Sequence, residues 1–523
     1  MGNPNAMSRS HNYFLYSTLA VGIALRCVLF PHLPPGLNQD EAAAAYEAYS
    51  LLWTGKDRWG NAFPIYFPGW GSGQNVLYSY LSIPAIALFG LNLFSTRLIN
   101  LIFGIATLPL MYACVKQVCT PRIALYATAL LSVLPWHVML SRWGLESNLL
   151  PFFLLLGTYC IKLALQEKAP RLLIVFCLFP WAIGLYAYAT SILFTPVFIA
   201  LTFYYERRQI EERKTLWLCA LSVFLGTAIP FILFLIKNNI FGVSFGFEQV
   251  LPFSIPLLPS QRIAQAGGSL GESLIFLFNG FNDELVWNSP PYFLPLFLIS
   301  FPFLGIGLVL LIQALNQGEV NLFLLWLCAT MPLIFLVRLN VNRANALFIP
   351  IIVISVIGFE AMRQAISEPF LKRVLFRVVA GWIGLNTILF AGSYFSAYGA
   401  QAGTKFQAGL AQSLETAQSI AKPTEPIFVT ETIPLNYIYV LFWQKVNPKT
   451  FQQQADYRVE KGIYAVHRFD RYYFDLPTLR QDSPPSFVYL QRTNEKALCL
   501  EAPVLRTREW SVGRCLQGAF LPQ

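Results

Sequence analysis

Charge is what this sequence has least of. Only 12% of its 523 residues are Asp, Glu, Lys or Arg, and there are four His. Soluble globular chains carry roughly a quarter charged residues. With 55% hydrophobic residues and a mean hydropathy of +0.51, the shortage excludes an ordinary soluble domain and indicates repeated membrane crossing. The nine Cys include no CxxC pair, which removes the usual zinc and dithiol motifs. Cys27, Cys114, Cys119, Cys160, Cys177, Cys219 and Cys328 lie in or beside apolar runs, as small packing residues do. The net charge of +10 does not indicate nucleic acid, because the Lys and Arg residues form short clusters between apolar runs, where they set topology. No small-x-small cleavage site follows the first apolar run, so that run reads as a signal anchor. No internal repeat or low-complexity tract is visible, and this disfavours transporters built from repeats.

What is present is a series of long apolar runs. A spanning helix needs about 20 mainly apolar residues. About eleven runs qualify: 13–30, 97–116, 122–140, 147–165, 171–188, 190–205, 215–236, 292–314, 321–338, 344–362 and 374–396. The stretch from Leu77 to Leu93 is interrupted by Pro84 and Gly90 and reads as re-entrant or interfacial. With a cytoplasmic N-terminus, eleven spans put four basic clusters on the cytoplasmic side. These are Lys116 with Arg122; Lys162, Lys168 and Arg171; Arg207, Arg208, Arg213 and Lys214; and Arg363, Lys372, Arg373 and Arg377.

The same topology places residues 32–96, 237–291 and everything from 397 outside the cytoplasm. The expected fold is therefore a polytopic α-helical membrane domain over 1–396, with a large first outer loop, and a small mixed α/β outer domain over 397–523. Residues 401–523 hold 25 of the 64 charged residues in under a quarter of the length. Residues 426–430 and 487–490 read as short strands; Asn436 to Trp443 suits helix or strand. Cys499 and Cys515 are expected to form a disulfide in an oxidising compartment, two buried free thiols being the alternative.

Three polar clusters fall at outer ends of the apolar runs. The first is Asp40-Glu41, just beyond the first run and ahead of an Ala-rich helix former. Adjacent carboxylates do not share a helix face, so these two have different jobs; position alone also allows Asp40 to be a helix cap. The second is Ser141-Arg142-Trp143-Gly144-Leu145-Glu146. Ionisable groups there are functional or paired with each other. The third is Arg338-Leu-Asn-Val-Asn-Arg343-Ala-Asn345, where Arg343 suits a phosphate near a helix start or an interfacial position.

These elements, in this order, resemble the GT-C superfamily of glycosyltransferases. The similarity is greatest to bacterial relatives of the protein O-mannosyltransferases and the lipid A aminoarabinose transferases. It rests on Asp40-Glu41, the turn Gly55-Lys-Asp-Arg-Trp-Gly60, Phe89-Gly90 with Arg97, Ser141-Arg142 with Glu146, Tyr186-x-Tyr188 and Asn342-Arg343, and covers roughly residues 15–360. Some family members carry a Lys where this chain has Gln74, so phosphate binding is expected to fall to Arg343, Arg97, Arg58, Lys56 or Arg142.

The resemblance implies an enzyme that moves a sugar from a polyprenyl-phosphate carrier to a lipid, glycan or protein acceptor, in a bacterial plasma membrane, on its outer face. The implied displacement inverts the anomeric centre. Asp40 is the expected base, with Glu41 and Glu146 positioning hydroxyls. No cofactor is required and no metal ligand set is assigned, although a divalent ion among the outer carboxylates is compatible with the chemistry. Two other classes fit the same span count: a transporter or flippase of lipid-linked sugars, and a diphosphate-linked oligosaccharide ligase or polymerase.

Overall fold

The computed structural model describes residues 9–69, 73–237, 270–460, 463–482, 484–516 and 519. Most of the expected outer segment 237–291 lies outside them. The described residues of 1–30, 100–236 and 256–397 form one compact unit, and those of 31–99, 237–255 and 398–523 a second.

The first unit is helical. Helix α1 is Arg9–Cys27; α2, Gln39–Thr54, and α3, Leu77–Phe89, belong to the second unit. Helix α4 is Leu93–Val118 and α5 is Pro121–Val133. Among the described residues, five helices are long and apolar enough to cross a membrane: Leu93–Val118, Glu146–Ala164, Lys214–Ile236, Asn345–Ala365 and Pro369–Phe395. Shorter apolar helices are Leu77–Phe89, Pro121–Val133, Arg171–Ala187, Ser191–Tyr205, Ser300–Asn316 and Leu322–Leu336. Three expected continuous runs are broken; residues 171–188 divide at Cys177 and Leu178, ahead of Pro180. Residues 122–140 divide at Leu134, ahead of Pro135, and 321–338 divide at Met331, ahead of Pro332. Proline lacks the N–H that would continue the helix and crowds the preceding turn.

Helix α5 starts where Thr120 accepts a hydrogen bond from the Ile123 N–H at 3.4 Å, with Pro121 in the first turn. It packs antiparallel to Asn345–Ala365. At one end Arg122 meets Glu360 at 3.2 Å; at the other the Trp136 indole donates to Asn345 at 2.9 Å. Ser300–Asn316 packs closely on the same helix. A Cβ on Gly307 would strike the Ile354 carbonyl, and one on Gly358 the Phe303 carbonyl. Small residues let helix backbones approach in this way inside a membrane.

The second unit holds a hairpin, β1 (Tyr66–Phe67) with β2 (Gln74–Asn75), and a seven-stranded sheet. Its strands are β3 (Ile427–Val429), β4 (Asp456–Glu460), β5 (Ile463–Phe469), β6 (Tyr472–Tyr473), β7 (Ser486–Arg492), β8 (Leu505–Arg506) and β9 (Trp510–Leu516). The order is β4-β5-β6-β3-β7-β9-β8. Strand β3 runs parallel to β6 and β7, and the other pairs are antiparallel. Asn436–Trp443 is a helix.

Alternate residues face opposite sides of the sheet, as the period of two requires. Phe428, Phe487, Tyr489 and Cys515 form a small core on one face. Ile427, Val429, Val488, Leu490 and Val512 join a larger core on the other. Ala42, Ala45, Tyr46 and Ala48 of α2 lie in that larger core, with Ile438, Val440 and Leu441. The segment after α1 therefore shares its apolar interior with the C-terminal sheet. Cys499 and Cys515 are joined by a disulfide.

Candidate active site

Helix α2 begins with a capping box. The Asn38 side chain accepts from the Asp40 N–H at 2.9 Å, and the Glu41 carboxylate accepts from the Asn38 N–H at 3.1 Å. Each satisfies a donor that the first helical turn leaves open. Glu41 has a second task. The Arg97 Nε donates to one of its oxygens and Nη2 to the other, both at 2.8 Å, and both side chains are fully buried. The remaining Arg97 donors reach the carbonyls of Pro31, Pro34 and Gly36. Arg97, expected at a phosphate, is thus engaged on all sides by its own chain.

Asp40 differs from its neighbour. It is half-buried, and among the described residues its carboxylate has no hydrogen-bond donor or cation partner. Burial first, and the neighbouring Glu41 charge second, push its pKa up to about 6. The Gln74 side chain, on β2, donates to the Asp40 carbonyl at 3.2 Å. Tyr439 is buried nearby, its hydroxyl pKa raised by burial and by the charges of Asp40 and Glu41. The structure therefore gathers Asp40, Glu41, Gln74 and Arg97 around the start of α2.

It does not bring Lys56 or Arg58 there. Both lie past the far end of α2, whose rise of about 1.5 Å per residue puts Lys56 on the order of 20 Å from Asp40. Lys56 is exposed. Arg58 is buried against Glu47, at 3.1 Å, and its guanidinium lies over the rings of Trp59 and Tyr437 at 5.5 and 5.9 Å.

The other expected residues belong to the first unit. Arg142 is fully buried and donates to the carbonyls of Leu25, Arg26 and Val28 at 2.6–3.0 Å. The turn that carries it is held by Asn100, which donates to the carbonyls of Trp143 and Leu145, and by Asn148, which donates to Leu140. Glu146 is buried and opens a short 3₁₀ turn. Arg343 is half-buried and donates to the Arg338 carbonyl at 2.8 Å. Beside it, Asn345 donates to the Ser147 carbonyl at 3.0 Å, which joins the second and third polar clusters of the sequence.

Residues 75–234 match the family model described as dolichyl-phosphate-mannose-protein mannosyltransferase. The structure of ArnT from Cupriavidus metallidurans bound to undecaprenyl phosphate superposes with a TM-score of 0.59 at 12% identity, covering 98% of this chain and 99% of that one. The oligosaccharyltransferase of Archaeoglobus fulgidus, tethered to an acceptor peptide, superposes with a TM-score of 0.53 at 14% identity, over 83% of this chain and 63% of that one. No curated protein sequence matches the chain.

The chain has the GT-C glycosyltransferase fold. Residues 75–234 are also similar in sequence to the mannosyltransferase family model, and the long apolar helices make the chain an integral membrane protein.

Two buried acids of the second unit, Glu47 and Asp57, were not among the expected site residues. Glu47 accepts the Arg58 N–H at 2.8 Å. Burial pushes its pKa up to about 8, with the Arg58 charge pulling the other way. Asp57 accepts from the N–H groups of Trp59 and Asn61 at 2.9 and 2.8 Å and from the Asn61 side chain at 2.8 Å. The available signal was the Asp-x-x-x-Asn spacing of a side-chain-closed turn. Among the described residues no group of three His, Cys, Asp or Glu forms a metal-binding set.

Proposed function

We propose that this protein transfers a sugar from a polyprenyl-phosphate carrier to an acceptor hydroxyl or amine on the extracytoplasmic side of its membrane, with Asp40 as the general base. The observation that carries this reading is the contrast within one helical turn. Glu41 is locked to Arg97, while Asp40 keeps a solvent-reachable carboxylate with a pKa pushed up to about 6. A base of that strength is largely ionised at neutral pH yet still takes a proton readily. The ligands of two structural neighbours support the substrate class. The ArnT structure holds undecaprenyl phosphate, and the archaeal oligosaccharyltransferase has been captured with dolichol-phosphate.

The chemistry follows from the donor. A sugar phosphate already carries a good leaving group, so the reaction needs a base and cations but no general acid. Asp40 removes the acceptor proton as the nucleophile attacks the anomeric carbon. The C–O bond to phosphate breaks on the opposite face, and the centre inverts. Charge growing on the departing phosphate calls for a cation. Arg97 and Arg58 are held by carboxylates, and Arg142 and Arg343 donate to carbonyls of the chain, so no cation is assigned to that role.

The test is sugar transfer by the full-length protein in nanodiscs, offered polyprenyl-phosphate sugars and a panel of acceptors. Wild type should release sugar from one donor. Asp40→Asn should lose about two to four orders of magnitude in rate while binding that donor as before. A loss under about tenfold would remove Asp40 as base. Turnover confined to diphosphate-linked donors would assign the chain to the oligosaccharide ligases.

A further inference from the structure

The first unit contains a cavity that runs along α5 from Tyr126 to Val133. Helices α1, α5, Ser300–Asn316, Asn345–Ala365 and Pro369–Phe395 border a partly open slot of about 520 Å³, lined by Phe14, Val21, Val356, Phe376 and Ile383 among others. The wall is mainly apolar. One exception is the Ser355 hydroxyl, 2% exposed, which lines the cavity and has no hydrogen-bond partner among the described residues. Water does not fill such a space, because it would find too few polar partners. In a membrane the available filler is a hydrocarbon chain.

The charges at the Tyr126 end of the slot identify which lipid. Tyr126 lines the cavity one turn after Arg122, and Phe359 lines it one turn before Arg363. Phe376 lines it between Arg373 and Arg377. Glu360 ties part of this rim together, contacting Arg122 at 3.2 Å and Arg363 at 2.7 Å. Arg122, Arg363, Lys372, Arg373 and Arg377 thus stand against two carboxylates, Glu360 and Glu368. Arg122, Arg373 and Arg377 are exposed. An apolar slot beneath a net-positive rim is complementary to an acyl chain beneath a negative headgroup.

We infer that this cavity is a binding site for an anionic membrane phospholipid, one acyl chain lying between α1, α5 and Pro369–Phe395 and its phosphate at the Arg122–Arg377 rim. The site is separate from the transfer chemistry and does not depend on it. Gly384 provides the means to close it: the glycine lines the cavity, and a Cβ there meets nothing within 4 Å.

The experiment is native mass spectrometry of the delipidated full-length protein, titrated separately with phosphatidylglycerol, with phosphatidylcholine of the same chains, and with undecaprenyl phosphate. Wild type should retain one phosphatidylglycerol in preference to phosphatidylcholine by about tenfold or more. Gly384→Phe should abolish that adduct with its thermal midpoint kept. The double variant Arg122→Gln/Arg377→Gln, which leaves the cavity wall intact, should bring the preference close to one and so tests the site even if Gly384→Phe does not fold. Equal retention of the two phospholipids, or an adduct unchanged in both variants, would overturn the inference. Stronger, Gly384→Phe-sensitive retention of undecaprenyl phosphate would overturn it in favour of the carrier.

Discussion

Asp40 and Glu41 are adjacent in sequence and opposite in circumstance. Glu41 is a buried partner of Arg97 and closes the cap of α2. Removing its charge leaves a guanidinium buried with no counter-ion. Glu41→Gln should therefore cost about 3–5 kcal/mol, read as a lowered thermal midpoint in detergent; a change under about 1 kcal/mol would mean that the pair is not structural. Asp40 gives a pH prediction instead. Its raised pKa means that burial favours the protonated form, whereas a base must be ionised. Transfer should be level above neutrality and fall about tenfold per pH unit below about 6. The stability effect has the opposite sign. A folded-state pKa above the unfolded one makes the fold less stable as pH rises from about 4 through 6, so Asp40→Asn should melt no lower than wild type at neutral pH. That these two carboxylates differ was legible from their adjacency, because neighbours on a helix point apart. That Glu41 would be held by Arg97 was not: the partners are separated by 56 positions, and no local pattern reports such a pairing.

At the scale of elements, the entry to α2 depends on one backbone contact. Gly36 has φ +83°, and a Cβ there would run into the Phe406 carbonyl and the Ala408 backbone. The Leu37 N–H donates to that same carbonyl at 2.5 Å. Gly55 closes the other end of α2 with φ +68°, but a Cβ there meets nothing within 4 Å. The two glycines therefore separate backbone strain from collision. Gly55→Ala should cost about 1 kcal/mol. Gly36→Ala should cost several times more and open residues 31–41 to limited proteolysis; equal effects would show that strain alone decides. The strands β3 and β7 were readable as short β-branched and aromatic runs, each preceded by proline. The breaks before Pro135 and Pro332 were not, because Pro109, Pro230 and Pro350 sit inside unbroken helices of the same chain. In a membrane, neighbouring helices can satisfy the carbonyl that a proline frees, so proline alone does not locate a break.

At the scale of the molecule, one core decides what can be removed. Composition marks a change of character near residue 397, but no composition shift tells which other segment completes the interior beyond it. Ala42, Ala45, Tyr46 and Ala48 of α2 are buried with Ile438, Val440 and Leu441. The Tyr46 hydroxyl donates to the Val446 carbonyl at 2.8 Å, and Gln452 donates to the Asp57 carbonyl at 2.8 Å. A chain ending at Ala397 would keep Asp40 yet leave the apolar face of α2 without its partner. That truncated protein should insert into the membrane with residues 31–99 newly sensitive to protease, and it should transfer no sugar. Supplying residues 398–523 as a separate polypeptide should restore protection, because the lost interface is an apolar core that can re-form without a covalent link. Transfer by the truncated chain at anything near the wild-type rate would show that Asp40 keeps its setting without the sheet. Loss of both protection and transfer would mean that the C-terminal sheet builds the floor on which the base stands, which gives the domain a structural task before any task in recognising an acceptor.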